Sequence, residues 1–363
     1  MRDSVITAAL LFLAGLSFGQ FDRHPTPLAP NQALQPAVEV AGLESGKADP
    51  TLQAISDATA RLASQVLSAT VHFEATRRTR GEGITAGTGS GFVLDKVRGL
   101  VVTNNHVVGG EDAVVRVRLH DGREFDGLVV GTDPKTDIAV VQIPEGEADS
   151  QLAWGDSDVL VPGTWIMAVG NPLGELGTTS TGVISGLNRT PDLPDIRYEN
   201  FLQFDAYIDR GSSGGPLVNM AGEVIGINTA IAGQVWQGAG YAVPARMASA
   251  IVQALISDQR VRRGYLGVQP APVRASDADQ VGLSRPYGAK VGRVTPDSPA
   301  AKAGLVRGDI ILAIEGKEVA STDDLSARIS TTPPGTPVRF KIWRDGAPMT
   351  LRVTLGELNE PDE

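Results

Sequence analysis

The sequence predicts a mainly β protein in two folded parts, a strand-rich barrel or sandwich followed by a small α+β module. Three observations carry that expectation. Between about Val71 and Val243, apolar residues recur mostly at alternate positions, in short runs closed by Gly, Pro, Asn or Asp; this is the pattern of half-buried strands. Helical spacing is confined to the flanks of that region, at TLQAISDATARLASQVL and RMASAIVQALISD. From Gly264 onward, strand runs and one capped helical segment alternate in a shorter unit, as in an α+β module.

The chain opens with Arg2 and the apolar run SVITAALLFLAGLSFG. A membrane span needs about 17–25 residues, so this run sits at or below the limit. Residues 1–20 read as a secretory signal with small residues Ser17 and Gly19 before a cleavage point, or as an uncleaved membrane anchor. Residues 21–50 turn to Pro, Ala, Gln and Glu without a sustained period, the composition of a tether. Leu52, Ile55, Leu62 and Val66 then mark a short amphipathic helix at the start of a first domain over 51–256.

Within that domain Val115, Val117 and Leu119 alternate with Arg116 and Arg118, and Asp121-Gly122 offers a hairpin turn. DIAVVQI, TWIMAVG and GEVIGINTAI supply further strands, and Met247, Ile251 and Leu255 form one face of a closing helix. Residues 257–263 form a linker. The second domain, 264–357, holds the strands GYLGVQP, KVGRV, DIILAIEG and VRFKIW. Ser321 or Thr322 caps its helix DDLSARI, whose first turn is acidic. Residues 358–363 are a tail.

Composition excludes several classes of function. A net charge of −10 over 363 residues argues against nucleic acid as a partner, because phosphate binding needs a basic surface. The absence of cysteine removes disulfides, thiolate metal sites and thiol nucleophiles.

RGSSGGPLVN, beginning at Arg210, places Ser212 and Ser213 among glycines. A serine acts as a nucleophile only beside a base, and the chain has four histidines. His24 lies in the tether, His72 opens a strand, and His120 precedes a turn. His106, in LVVTNNHVVGG, follows an apolar strand directly and has the firmest mount. No histidine follows Ser213, so the Ser-acid-His order of α/β-hydrolases fails, and a His-Asp-Ser order remains. Between them, Asp133 reads as a turn residue and Asp121 and Asp126 flank a hairpin. Asp137 leads the apolar run IAVVQI, where a buried carboxylate needs a partner; a carboxylate capping the turn is the alternative.

TNNHVV, KTDIAVV and RGSSGGPLVN, in that order, closely resemble the HtrA (Deg) family of trypsin-like serine proteases. GNPLG, YENFLQFDAYI and GINTAI continue the likeness. GYLGV, TPDSPAAKAGLVRGDIILAIEGKEV and DDLSARI resemble the PDZ domain of the same family. The resemblance implies a trypsin-like double β-barrel followed by a PDZ domain. It makes His106 the general base, Asp137 its orienting acid and Ser213 the nucleophile, with the Gly211 and Ser213 N–H groups in the oxyanion hole. Ile208 becomes a wall of the specificity pocket, and Tyr207 stands where trypsin carries its pocket aspartate. Cleavage after small or medium apolar residues is then expected. Arg189 matches a regulatory-loop arginine, and Tyr265, Leu266, Gly267 and Val268 match the loop that binds a peptide's terminal carboxylate. Ser212 departs from the family's usual Asn.

The implied partners are protein substrates and, at the PDZ domain, hydrophobic C-terminal peptides of misfolded envelope proteins. A homotrimer in the periplasm is expected, anchored to the inner membrane or secreted if the first segment is cleaved. No metal or cofactor is implied. A short tethered chain with one PDZ domain is most like the DegS type, whose task would be the first cut of an anti-sigma factor in envelope stress. The alternatives are a soluble DegP- or DegQ-type quality-control protease and chaperone, and a catalytically silent peptide-binding protein.

Overall fold

Helix α1 (Pro50–Ser68) begins where Asp49 accepts hydrogen bonds from the Thr51 and Leu52 N–H groups, at 2.8 and 3.2 Å. Such a cap satisfies donors that the first helical turn leaves unpaired. Leu62 and Val66 are buried, but Leu52 and Ile55 are 64% and 51% exposed. Only the C-terminal half of the expected apolar face is therefore covered. The computed structural model describes residues 49–79, 83–111, 113–171, 177–193, 196–231 and 237–359. The apolar run at 1–20, the tether up to residue 48 and the last four residues of the tail lie outside these. Among the described residues no helix is long and apolar enough to cross a membrane.

Alternating strand patterns close into two six-stranded antiparallel barrels. The first contains β1 (Thr70–Thr79), β2 (Gly83–Asp95), β3 (Leu100–Thr103), β4 (Val114–Arg118), β5 (Glu124–Asp133) and β6 (Ile138–Gln142), in the order β1-β2-β3-β6-β5-β4. A single helical turn, α2 (Asn105–Val108), follows β3. The second barrel contains β7 (Trp165–Gly170), β8 (Thr178–Arg189), β9 (Phe201–Phe204), β10 (Pro216–Asn219), β11 (Val224–Ile231) and β12 (Gly240–Pro244), ordered β10-β11-β12-β9-β8-β7. Helix α3 (Ala245–Asp258) closes this part. Val115 and Val117 point into the first barrel with Phe73, Val93 and Val141, as their alternation requires. Ile166, Ile184, Phe204 and Leu217 fill the second. A third cluster joins the barrels: Phe92, Val102, Val140, Met167, Val218 and Ile227 pack with Leu62 and Val66 of α1 and with Met247, Ile251 and Leu255 of α3.

The C-terminal module contains β13 (Gly264–Tyr265), β14 (Val268–Pro272), α4 (Ala275–Val281), β15 (Ala289–Val294), α5 (Pro299–Lys302), β16 (Ile310–Ile314), β17 (Lys317–Glu318), α6 (Thr322–Thr331), β18 (Pro337–Arg344), β19 (Ala347–Thr354) and β20 (Gly356–Glu357). Its main sheet runs β14-β15-β16-β18-β19, which leaves β14 at an edge. Ser321 caps α6 by accepting from Asp324 N at 3.1 Å. Leu266, Val291, Ile311, Leu325, Phe340 and Val353 form the module's core.

The joint between barrel and module is charged. Arg263, 4% exposed, sends one guanidinium nitrogen to both Asp133 carboxylate oxygens, at 2.6 and 2.7 Å, and lies 4.4 Å from the Tyr198 ring centre. Asp133 is thus the anchor of the joint, and its place at the end of β5 before a turn is only part of its role. Asn200 donates to Asp324 at 2.9 Å, and Asp158 accepts from Arg246 at 2.9 Å and from Lys317. Removing one member of a buried pair leaves the other charged and unpaired. Arg263→Met should therefore lower stability against urea by about 3 kcal/mol or more, and Asp133→Asn in the same chain should restore much of it. Equal unfolding of Arg263→Met and the parent chain would contradict the assignment.

Candidate active site

His106 and Asp137 meet on the first barrel, and Ser213 lies on the second, at the seam between them. His106 stands on α2, where the chain turns sharply out of β3; Gly109 ends the turn in the left-handed region, at φ 79°. Asp137 lies in the turn between β5 and β6, itself left-handed at φ 59°, a conformation that a non-glycine residue holds only when its surroundings fix it. Those surroundings are visible. Asn104, fully buried, donates from Nδ2 to the Asp137 carbonyl at 2.7 Å and to Thr229 Oγ1 at 3.2 Å. The Asp137 carboxylate accepts from the His106 backbone N–H at 2.9 Å through Oδ1, and its Oδ2 lies 2.7 Å from His106 Nδ1. The Asp137 side chain is 5% exposed, whereas the imidazole is half exposed. The ring is thus held at Nδ1.

Burial alone would push the His106 pKa down. The hydrogen bond to Asp137 and that carboxylate's charge outweigh it, so the imidazole titrates above its ordinary value. His72, by contrast, is buried in β1, and its pKa falls through desolvation first and the nearby Arg118 charge second.

Ser213 enters from the second barrel, in the turn before β10. Its Oγ donates to the Thr229 carbonyl at 3.1 Å rather than to the imidazole. The glycines after it are dictated by crowding. A Cβ on Gly214, at φ 84°, would lie 2.2 Å from both the Ser90 carbonyl and Thr103 Oγ1. Ser212 is buried, and its Oγ accepts from Asp209 N at 3.3 Å. Gly211, at φ 92°, precedes it. Ile208 is 4% exposed and packs beside Gly240. Tyr207 is 48% exposed, and its hydroxyl donates to Asp209 at 2.8 Å.

Two further groups lie away from the seam. Arg189, at the end of β8, donates through Nε to Gln203 at 3.0 Å. Just beyond it, Thr190, Asp192, Arg197, Tyr198 and Glu199 line a cavity of about 470 Å³ whose other wall is Asp323 and Ser326 of α6. In the C-terminal module, Tyr265, Leu266, Gly267 and Val268 lead into the edge strand β14. The Leu266 carbonyl accepts from Ala300 N, and the Gly267 carbonyl from Thr295 N, both at 2.9 Å. Gly267 is left-handed at φ 84°, with Ser298 against the position of a Cβ. The loop's carbonyls are thus spent on the body of the module. Among the described residues no cluster of three or more His, Asp or Glu could hold a metal.

Comparisons with known proteins identify both parts of the chain. Residues 89–227 match the family described as a trypsin-like peptidase domain, and residues 264–355 match the PDZ domain. The chain is 43% identical over 273 residues to the periplasmic pH-dependent serine endoprotease DegQ of Escherichia coli, covering 74% of this chain and 59% of that protein. It is 40% identical to the periplasmic serine endoprotease DegP of Salmonella typhimurium, covering 75% and 57%. The chain therefore spans about three-fifths of the length of these curated relatives. Among solved structures, the HtrA-type protease AlgW with a tripeptide aligns at TM-score 0.65 and 35% identity, covering 83% of this chain and 98% of that one. The serine endoprotease from Yersinia pestis aligns at 0.55 and 32%, with the same coverage.

The His106–Asp137 couple has a direct spectroscopic consequence. In a pH titration followed by NMR, the His106 ring should titrate above the ordinary imidazole value, and Asp137→Asn should move it downward, because desolvation then acts unopposed. A parent titration at or below the ordinary value would contradict the couple.

Proposed function

The chain belongs to the HtrA family of trypsin-like serine proteases with a PDZ domain, and we propose that it is a serine endopeptidase in which His106, Asp137 and Ser213 form the catalytic triad. The observation that carries this reading is the imidazole fixed to a buried carboxylate at 2.7 Å across the barrel seam from Ser213. In the proposed reaction Ser213 Oγ attacks the substrate carbonyl carbon while His106 Nε2 takes its proton. Asp137 keeps the Nδ1–H tautomer in place and stabilises the imidazolium. The Gly211 and Ser213 N–H groups receive the negative charge that develops on the carbonyl oxygen. The same imidazole then protonates the leaving amine, and a water molecule repeats the sequence on the acyl-enzyme. Buried Ile208, and a tyrosine rather than a carboxylate at position 207, support cleavage after small or medium apolar residues.

The domain division follows from the same reading: a protease domain over 51–256, a linker over 257–263 and a PDZ domain over 264–357. The unpaired edge of β14 supports binding of hydrophobic C-terminal peptides by strand addition, held at the carboxylate by the loop from Tyr265 to Val268. The cavity that Thr190, Asp192, Arg197, Tyr198 and Glu199 line opposite α6 supports a regulatory route from that peptide to the loop that starts at Arg189. We place the protein in the periplasm, exported or anchored through its first segment, as a stress-sensing protease whose DegS-like task is the first cut of an anti-sigma factor. Its curated likeness to DegQ and DegP favours a second reading, a quality-control protease and chaperone. Exposed Ile55 and Trp165, the latter 58% exposed, support assembly into a homotrimer.

β-Casein and peptides with apolar residues before the cleaved bond, assayed with and without hydrophobic C-terminal peptides, separate these readings. Ser213→Ala should lower kcat by about a million-fold, to background. Activity that needs the added peptide supports the gated, DegS-like role; full activity without it supports quality control. Cleavage that survives Ser213→Ala would overturn the assignment.

A further inference from the structure

The TGSGFV stretch of β2 carries a buried hydroxyl that the triad does not use. Ser90 is fully buried and lies 121 positions from the glycine turn it touches. Its Oγ donates to the Gly211 carbonyl at 2.5 Å and accepts from Asn171 N at 2.7 Å. Its own N–H donates to the Ser213 carbonyl at 2.8 Å, and its carbonyl accepts from Thr103 Oγ1 at 2.6 Å. One residue of the first barrel therefore holds two carbonyls of the nucleophile turn in the second.

The peptide planes show what this does. The Gly211 N–H belongs to the plane shared with Arg210, and the Ser213 N–H to the plane shared with Ser212. Between them lies the Gly211–Ser212 plane, which sets the angle between those two donors. Both of its polar groups are tied: the carbonyl to Ser90 Oγ, and the Ser212 N–H to the Asp209 carbonyl at 2.9 Å. Gly211, at φ 92°, has no side chain to hinder rotation of that plane. The buried Ser90 hydroxyl is the tie on the carbonyl side.

We propose that Ser90 is a positioning residue for the oxyanion hole, fixing the Gly211–Ser212 peptide so that the Gly211 and Ser213 N–H groups converge on one point. The role rests on the serine-protease reading above, and it acts through the turn without contact to substrate. Two donors aimed in advance stabilise a developing oxyanion without reorganising during the reaction. Ser90→Ala removes the tie but leaves the Ser90 main-chain bonds to Ser213 and Thr103, so β2 and the barrel seam should persist.

The test uses the full chain and three variants, Ser90→Ala, Ser90→Cys and Ser213→Ala. Ser90→Ala should lower kcat by roughly 10- to 100-fold, less than the ~100- to 1,000-fold typical of losing a donor outright. KM should stay within about threefold, since the tie serves the transition state. Ser90→Cys, a weaker donor in the same place, should fall between it and the parent. The His106 titration should not move, because the Asp137 couple lies in the other half of the site. Hydrogen exchange in the peptide covering residues 209–215 should be faster in Ser90→Ala, a readout independent of activity. Unchanged exchange with unchanged kcat overturns the role. A shifted His106 titration with a matching rise in KM also overturns it, in favour of general structural damage. Faster exchange in a chain whose parent shows no Ser213-dependent cleavage would sink the protease reading while upholding the hold of Ser90 on the turn.

Discussion

Closed barrels have no free edges through which to pair, so the two here are fixed against each other by what crosses their seam and by α1 and α3, which pack with both. The placement of His106 and Asp137 relative to Ser213 depends on that constraint, because the first two belong to one barrel and Ser213 to the other. Apolar packing supplies the bulk of the hold, through Phe92, Val102 and Val140 on one side and Met167, Val218 and Ile227 on the other. It is non-directional and leaves the aim of individual groups unspecified. Direction comes from a few buried polar groups: Asn104 reaching Thr229, and Ser90 reaching Gly211 and Ser213. A buried donor left unpaired at the seam would cost about 1–3 kcal/mol, so the arrangement that pairs Asn104 Nδ2 and Ser90 Oγ also sets the site.

The same logic extends to the joint with the C-terminal module. Arg263 and Asp133 are both almost fully buried, and Asp133 lies in the chain just before the turn that carries Asp137. Thr136 Oγ1 donates to Asp133 Oδ2 at 2.5 Å, so the residue that docks the module also braces the turn that carries Asp137. Buried ion pairs add little net stability compared with apolar packing, but they are demanding about geometry. At this joint they tie the position of the module to the shape of the β5–β6 turn.

Much of the fold was legible because it is written locally. Alternation at Val115–Leu119, the Asp121-Gly122 turn and the apolar face of α3 each appear within a few residues. His106, Asp137 and Ser213 stood out for a similar reason, each sitting where a strand meets a turn. The polar groups that aim them were not legible. Ser90 reads as one small residue in a glycine-rich strand, Asn104 as a turn former, and Arg263 as part of a basic linker. Their partners lie 121, 125 and 130 positions away, beyond any periodicity. The spacing of Leu52, Ile55, Leu62 and Val66 predicts one apolar face on α1, yet Leu52 and Ile55 remain exposed, because a helical stripe says which residues align and not how far a partner surface extends. Nor could the sequence show that Ser213 rests on the Thr229 carbonyl, a choice of side-chain rotamer made by tertiary contacts.

The central claim, that the barrel seam makes one serine of this chain a nucleophile by placing it within reach of a carboxylate-bound imidazole, is tested most directly by covalent labelling. A fluorophosphonate probe should modify the intact protein once per chain, and peptide mapping should place the label on Ser213. Labelling should be lost in His106→Ala and strongly slowed in Asp137→Asn. Labelling on another residue, or labelling of Ser213 that proceeds unchanged without His106, would contradict the account.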